Sequence, residues 1–225
     1  MKIEKGTLYI VATPIGNLED LTLRAREVLS GVDDVLCEDT RVTMNLLSSI
    51  DSRVKTFTLH QHTEESKINT IVQKLLLGES MAFVSDAGTP NVSDPGGKLV
   101  QMAIAGGIKV VPIPGVSAVT TALSVCGFPA DHFTFLGFPP HKKGRNTYFD
   151  EVAKIEHTIV LYESKHRIEK TLAQLPTGRL LCVGREMTKM FEAFYRGTPA
   201  QILEQIQASS SKGEFVIIVA PSNWK

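Results

Sequence analysis

Met81-Ala-Phe-Val84, then Ser85-Asp-Ala-Gly-Thr-Pro90, then a polar run to Gly97, then Lys98 to Ala105, Gly106-Gly107 and Ile108-Lys-Val-Val111: this succession reads as strand, loop, helix and strand. A short apolar run bounded by turn residues suits a strand buried on both faces, as in a parallel sheet. The paired glycines suit a helix end, where a left-handed residue closes the last turn. The alternation continues upstream. Thr7-Leu-Tyr-Ile-Val-Ala12 is a strand ended by Pro14 and Gly16, and Thr22 to Leu29 carries apolar residues at helical spacing. Asp34 to Glu38 is a strand, Thr40 to Leu47 a helix and Val54 to Thr58 a strand. Glu65 to Leu77 sets Ile68, Ile71, Val72, Leu75 and Leu76 on one helical face, and Gly78 stops it. Repeated strand–helix–strand units favour a parallel sheet with helices on both faces.

Pro112-Ile-Pro-Gly115 breaks the pattern and marks a domain boundary. Residues 1–114 are expected to form an N-terminal α/β domain with a parallel sheet, and residues 115–225 a C-terminal α/β domain. Beyond the break, Ala118 to Val125 reads as helix and Phe133 to Leu136 as strand, followed by a loop holding His141-Lys-Lys-Gly-Arg145. Then come strand (Thr158 to Tyr162), helix (Lys165 to Leu175), strands (Leu180 to Val183, Phe191 to Arg196), helix (Pro199 to Ala208) and strand (Phe215 to Ala220). Two late strands with little between them, around Glu186 to Lys189, predict an antiparallel pair and so a mixed sheet.

The charge balance narrows the function. Lys plus Arg equals Asp plus Glu at 24 each, so the net charge is zero. A protein that grips nucleic acid by its phosphates usually carries a basic excess, so a nucleic-acid role here needs a local patch or a large structured target. The 225 residues, 43% hydrophobic, suffice for a packed core. Cys37, Cys126 and Cys182 are scattered in apolar stretches, as buried thiols of a reducing compartment would be. The charged start Met1-Lys-Ile-Glu-Lys5 leads into an apolar run too short for a signal segment or membrane span, which predicts a cytoplasmic protein.

In an open parallel sheet, ligands bind beyond the carboxyl ends of the strands, where strand order switches. Four loops follow predicted strands there: Thr13-Pro-Ile-Gly-Asn17, Glu38-Asp-Thr-Arg41, Ser85-Asp-Ala-Gly-Thr-Pro90 and Pro112-Ile-Pro-Gly-Val-Ser-Ala118. All are rich in small residues that let a ligand approach the backbone. The first lacks the G-x-G-x-x-G dinucleotide fingerprint, which disfavours a nucleotide-dependent oxidoreductase. Asp86 either accepts hydrogen bonds from a ribose or caps its own turn, and spacing leaves the two even. Asp39 is best read as a helix N-cap, while Glu38 and Arg41 stay open as base or substrate clamp. Tyr162-Glu-Ser-Lys-His-Arg167 crowds titratable groups at a strand end, with Ser164 as candidate N-cap. Arg185 and Glu186 suit an internal ion pair. His60 and His62 flank Gln61 with no carboxylate or cysteine at ligand spacing, so no metal site is expected.

Taken in order, Leu8-Tyr-Ile-Val-Ala-Thr-Pro-Ile-Gly-Asn-Leu-Glu-Asp20, Glu38-Asp-Thr-Arg41, Val84-Ser-Asp-Ala-Gly-Thr-Pro90, Ser93-Asp-Pro-Gly96, Val111-Pro-Ile-Pro-Gly115, Tyr162-Glu-Ser-Lys-His-Arg167 and Arg185-Glu-Met-Thr-Lys189 resemble the tetrapyrrole methylase superfamily. Within it the match is close to the branch that methylates the ribose 2′-oxygen of a cytidine in small-subunit ribosomal RNA. The resemblance implies a homodimer of two-domain subunits, using S-adenosylmethionine in a cleft between the domains. It assigns cofactor contacts to Pro14, Gly16, Asp86, Gly88, Thr89, Ser117 and Ala118, with Tyr162 and Met187 from the second domain. Glu38, Arg41 and Glu163 are then the residues expected near the substrate, a carboxylate as base and Arg41 as phosphate clamp. Lys142, Lys143 and Arg145 read either as a solvated loop or as an RNA phosphate contact. Cys37 and Asn91-Val92 depart from the pattern. Family members often extend further at the C-terminus, whereas this chain stops soon after Gly213 to Val219. Two alternatives keep the fold: a corrin or porphyrin precursor C-methyltransferase, and a non-catalytic ribosome-assembly factor.

Overall fold

The computed structural model describes residues 2–61 and 63–224; Met1 of the charged N-terminal run and His62 beside Gln61 lie outside the described residues. The chain divides into two compact units, Met1–Ser117 and Ala118–Lys225.

The first unit holds strands β1 (Thr7–Val11), β2 (Asp34–Cys37), β3 (Lys55–Thr58), β4 (Met81–Val84) and β5 (Lys109–Ile113). Every pairing in this sheet is parallel and the order is β3-β2-β4-β1-β5. Helices α1 (Leu23–Gly31), α2 (Thr40–Ser49), α3 (Glu65–Leu76) and α4 (Gly97–Ala105) are the crossovers. Ala25, Val28 and Leu29 of α1 and Leu46 and Leu47 of α2 pack with one face of the sheet; Ile68, Ile71, Val72 and Leu75 of α3 and Leu99 and Ala103 of α4 pack with the other. β2 and β4 are buried throughout; β4 is an unbroken apolar run, and β2 is apolar after Asp34, whose carboxylate pairs with Lys74 at 3.1 Å. The chain leaves β1 and β2 toward one face and β4 toward the other. The carboxyl ends of β2, β4 and β1 are therefore adjacent ends of diverging connections, the topological switch at which ligands enter such sheets.

The fifth strand runs on through Pro112 to Ile113, where the sequence places its end at Val111. Proline cannot donate to a ladder, but β5 is the sheet edge and pairs only with β1, so nothing is lost.

The second unit holds α5 (Ala118–Cys126), β6 (Phe133–Phe135), α6 (Arg145–Lys154), β7 (Thr158–Ser164), α7 (Ile168–Leu172), β8 (Leu181–Arg185), β9 (Ala193–Gly197), α8 (Pro199–Ser209) and β10 (Glu214–Val219). Its sheet is mixed, in the order β6-β7-β10-β8-β9: β6 and β7 are parallel and the other pairs antiparallel. The expected late antiparallel pair is β8 with β9. α6, α7 and α8 cover one face through Phe149, Val152, Ile168, Leu172, Ile202 and Ile206. α8 opens with a full capping box, Thr198 with Gln201, and Pro199 at its start. Two elements differ from the sequence reading. α6 stands where a loop is expected, because its inward face at Arg145, Phe149 and Val152 begins with a charge. α7 is shorter than Lys165 to Leu175, because residues 164–167 form a turn, with Arg167 N–H donating to Ser164 O, and Ser164 is not the cap.

Candidate functional site

The switch region of the first unit is tied together by its backbone. Past the end of β1, Thr13 N–H donates to Gly88 O at 2.9 Å and Gly88 N–H to Thr13 O at 3.0 Å. Thr13 Oγ1 donates to Ser85 O at 3.3 Å, and Thr89 Oγ1 to Val116 O at 3.0 Å. The loops after β1, β4 and β5 are thus one assembly rather than three free ends. The loop after β2 joins it where Asp39 N–H donates to Asp86 Oδ1 at 3.1 Å. Four sequence-expected positions of this unit, Pro14, Gly88, Thr89 and Ser117, are buried or partly buried in that assembly, and Gly16, Asp86 and Arg41 are exposed on it.

Asp39 caps α2 as expected, accepting Arg41 N–H at 2.8 Å, and its carboxylate also holds the Arg41 guanidinium through Nε at 3.1 Å and Nη2 at 2.5 Å. These bonds from Arg41 draw the Asp39 carboxyl down to about 2. Glu38, one residue earlier, is partly buried, and burial pushes its carboxyl up, with Asp86 and Asp39 adding to the rise and His60 opposing it. The switch region therefore holds one acid made strong and one made weak.

Asp94, which composition and spacing do not single out, is a fourth carboxylate here, beside Glu38, Asp39 and Asp86. Burial pushes it up to about 6; a Ser85 hydrogen bond opposes this, and Glu38 and Asp86 reinforce it. Its loop is tightly specified: Asn91 and Ser93 have φ of 71° and 66°, and a Cβ at Gly96 would collide with the Phe83 ring. A carboxyl raised in the folded state holds its proton longer than the unfolded chain does. It therefore costs stability as pH rises from its ordinary value of 3.8 through about 6. Asp94→Asn is expected to raise the thermal midpoint at pH 7.5 and leave it nearly unchanged at pH 3.5. Thermal scans at the two pH values measure this, and equal effects at both would contradict it.

In the second unit, Ala118 opens α5 and Tyr162 lies partly buried on β7, edge-on to Phe135 at 4.8 Å and Phe138 at 5.4 Å. Met187 is buried against Gly184, where a Cβ would meet its sulfur at 2.8 Å. Arg185 Nε and Thr188 Oγ1, on either side of Met187, are buried without a hydrogen-bond partner among the described residues. Orphaned buried polar atoms are rare and invite a polar ligand. The expected pairing of Arg185 with Glu186 is replaced by a different one: Lys189 bonds Glu186 at 3.1 Å and Glu214 at 2.7 Å, and Arg185 Nη1 donates to the Tyr195 hydroxyl.

Glu163 has a fully buried side chain. Its Oε1 pairs with Arg167 Nη2 at 2.8 Å and accepts Ser164 N–H at 2.7 Å; its Oε2 accepts the Thr171 hydroxyl at 2.5 Å. Thr171 in turn accepts from Arg145 Nη2 at 2.6 Å. Arg145 is itself buried and donates to Gln174 Oε1 and Pro140 O. It is thus no part of an exposed basic group, whereas Lys142 and Lys143 are exposed. Sequence spacing cannot separate these roles; the signal available is that Arg145 falls on the same helical face as Phe149 and Val152.

Among the described residues no group of three or more His, Cys, Asp or Glu could hold a metal ion, and no helix is long and apolar enough to cross a membrane.

The sequence model of the tetrapyrrole (corrin/porphyrin) methylases matches residues 7–203. The chain belongs to the tetrapyrrole methylases. Relatives of this methylase include two proteins named ribosomal RNA small subunit methyltransferase I. The one from Halalkalibacterium halodurans is 43% identical over 99% of this chain and 78% of its own. The one from Vibrio cholerae is 47% identical over 94% of this chain and 76% of its own. Among solved structures, cobalt precorrin-4 methyltransferase, a cobalamin biosynthetic enzyme, superposes with a TM-score of 0.71 at 18% identity, over 96% of this chain and 95% of that one. Uroporphyrin-III C-methyltransferase from Thermus thermophilus gives 0.65 at 20% identity, over 96% and 94%. At that identity the likeness carries the tetrapyrrole methylase fold and nothing finer.

Proposed function

We propose that this methylase transfers a methyl group from S-adenosylmethionine to the ribose 2′-oxygen of a cytidine in small-subunit ribosomal RNA. The observation that carries the reading is the 43–47% identity, over nearly the whole chain, to relatives named for ribosomal RNA small-subunit methylation. The corrin-type relatives offer only fold likeness, at 18–20% identity.

The residues present suit such a cofactor. Asp86 offers a solvent-facing carboxylate that can accept ribose hydroxyls, and the small residues Pro14, Gly16, Gly88, Thr89, Ser117 and Ala118 allow close approach to backbone. Tyr162 and Met187 supply apolar surface, and the orphaned Arg185 Nε and Thr188 Oγ1 supply donors. Bound to these residues, the cofactor supplies a methyl carbon on a positively charged sulfur.

The protein's share is positioning and proton removal. Holding the ribose hydroxyl in line with the methyl carbon can contribute on the order of 7 kcal/mol or more. Glu38, its basicity raised by burial, would take the proton that the ribose hydroxyl gives up. Arg41, exposed and held by Asp39 through Nε and Nη2, offers its remaining guanidinium N–H groups to a substrate phosphate. Glu163 enters as a positioning residue, since each of its oxygens is already engaged. A homodimer in the cytoplasm belongs to the same reading.

Asp86→Ala is expected to weaken S-adenosylmethionine binding by roughly 10- to 100-fold, the worth of hydrogen bonds to a charged acceptor. Calorimetric titration of the cofactor measures it. Unchanged affinity would leave Asp86 only as the cross-loop acceptor of Asp39 N–H.

A further inference from the structure

The segment Gly137-Phe-Pro-Pro-His-Lys-Lys-Gly144 has no regular structure, yet it is held as firmly as a helix end. Gly137 and Gly144 turn it at φ of 62° and 80°. Tyr162 N–H donates to Gly137 O at 2.9 Å. Arg167 Nη1 donates to Pro139 O at 2.8 Å, and Arg145 Nη1 to Pro140 O at 2.9 Å. Those two guanidiniums belong to the chain Arg167–Glu163–Thr171–Arg145–Gln174. A buried ionic network of this kind is a poor source of stability, since apolar side chains of the same volume do as well. What it supplies is position: two successive carbonyls of one loop are fixed from beneath by groups that cannot swing away.

The loop so fixed displays a particular set of side chains. Phe138 is 50% exposed, braced edge-on against Tyr162. His141, Lys142 and Lys143 are exposed, as are Lys165 and His166 in the turn that Arg167 closes. No acidic residue occurs from Phe133 to Phe149, and from Thr158 to Ile168 the only one is the buried Glu163. Along the chain the next exposed acid beyond that turn, Glu169, is bonded by Gln207 Nε2, and Glu214, opposite Ser164 on the neighbouring strand, is paired with Lys189 at 2.7 Å. In a chain whose net charge is zero, this is a locally uncompensated cationic surface with an aromatic face in it.

We infer that this surface holds the RNA: Phe138 stacks an unpaired base, while Lys142, Lys143 and Lys165 take the flanking phosphates. Cationic side chains around an exposed ring are what single-stranded RNA requires, because every base has a stacking face and every nucleotide a phosphate. The inference rests on the proposed RNA substrate and specifies where that RNA is held. It also removes the objection raised by the neutral net charge, since the patch is local and rigid.

The intact protein is titrated with a fluorescently labelled, unstructured RNA oligonucleotide at several salt concentrations. The variants are Lys142→Ala/Lys143→Ala/Lys165→Ala and, separately, Phe138→Ala and Phe138→Trp. Each lost phosphate contact on a single strand lowers the slope of log affinity against log salt by about 0.7, so the triple variant is expected to lose about 2. Phe138→Ala is expected to weaken binding by about 5- to 100-fold with the slope unchanged, and Phe138→Trp to retain it. Cofactor affinity and Trp224 fluorescence are read on every variant and are expected to match the parent protein. RNA affinity and salt slope unchanged in both the triple variant and Phe138→Ala would overturn the inference, as would a parent protein that does not bind RNA. Methylation of small subunits by the parent enzyme is scored separately. RNA binding that depends on this loop without methyl transfer would sink the proposed reaction and leave the RNA surface standing.

Discussion

Glu163→Ala is expected to destabilise the second unit by about 3–5 kcal/mol, the cost of stranding buried charge after its partner is removed. The carboxylate is fully buried, and the variant leaves Arg167 unpaired at 14% side-chain exposure, with Arg145 one hydroxyl away at 3%. Thr171 loses its acceptor and Ser164 N–H its carboxylate partner in the same step. For a chain of this size the thermal midpoint falls by roughly 6–20 °C. Trp224, the only tryptophan, sits in this unit edge-on to Phe128, so its fluorescence reports the transition. Glu163→Gln keeps an acceptor for Thr171 and is expected to lose distinctly less. A Glu163→Ala protein that melts with the parent would show that the network carries little energy, and its claim to fix the Pro139 and Pro140 carbonyls would fail with it.

Glu38→Gln is the second large effect, and it falls on rate. The amide keeps the shape and cannot take a proton, so kcat is expected to drop by about 100- to 10,000-fold. S-adenosylmethionine affinity should stay at the parent value, because Glu38 is not among the cofactor contacts. The pH profile separates this role from a structural one. The base works deprotonated, so the parent rate rises as pH climbs through the Glu38 pKa. Burial, with Asp86 and Asp39, sets that limb above the ordinary glutamate value of 4.5. The variant should lose the limb. A variant with full activity, or one that is slow but keeps the parent's acid limb, would take the base role away from Glu38.

The parallel first sheet was legible because its strands are buried on both faces, and runs such as Met81-Ala-Phe-Val84 have no polar interruption. The Asp39 cap was legible for the same kind of local reason: a short acceptor before a helical run. Sequence reading fell short where a distant partner decides. Pro112 continues a strand only because β5 is an edge. Arg145 looks like part of a surface basic cluster until Thr171, Gln174 and Pro140 O are found around it. Glu163 and Arg167 announce themselves as a crowd of titratable groups, but only the fold shows their charges turned on each other. Asp94 stands in one of the motifs that carry the resemblance, but its raised carboxyl could not be read there, since it comes first from burial and then from Glu38 on another loop and Asp86 on its own. Local chemistry was readable; electrostatics across loops was not.

The most direct test of the central claim is transfer of labelled methyl from S-adenosylmethionine to small ribosomal subunits that lack the modification, with a corrin precursor as parallel substrate. The account predicts label in the subunits alone, recovered on a cytidine as a ribose 2′-O-methyl group, which blocks alkaline cleavage at the following phosphate. Label on the corrin precursor, on a base rather than a ribose, or nowhere despite measurable cofactor binding would contradict it.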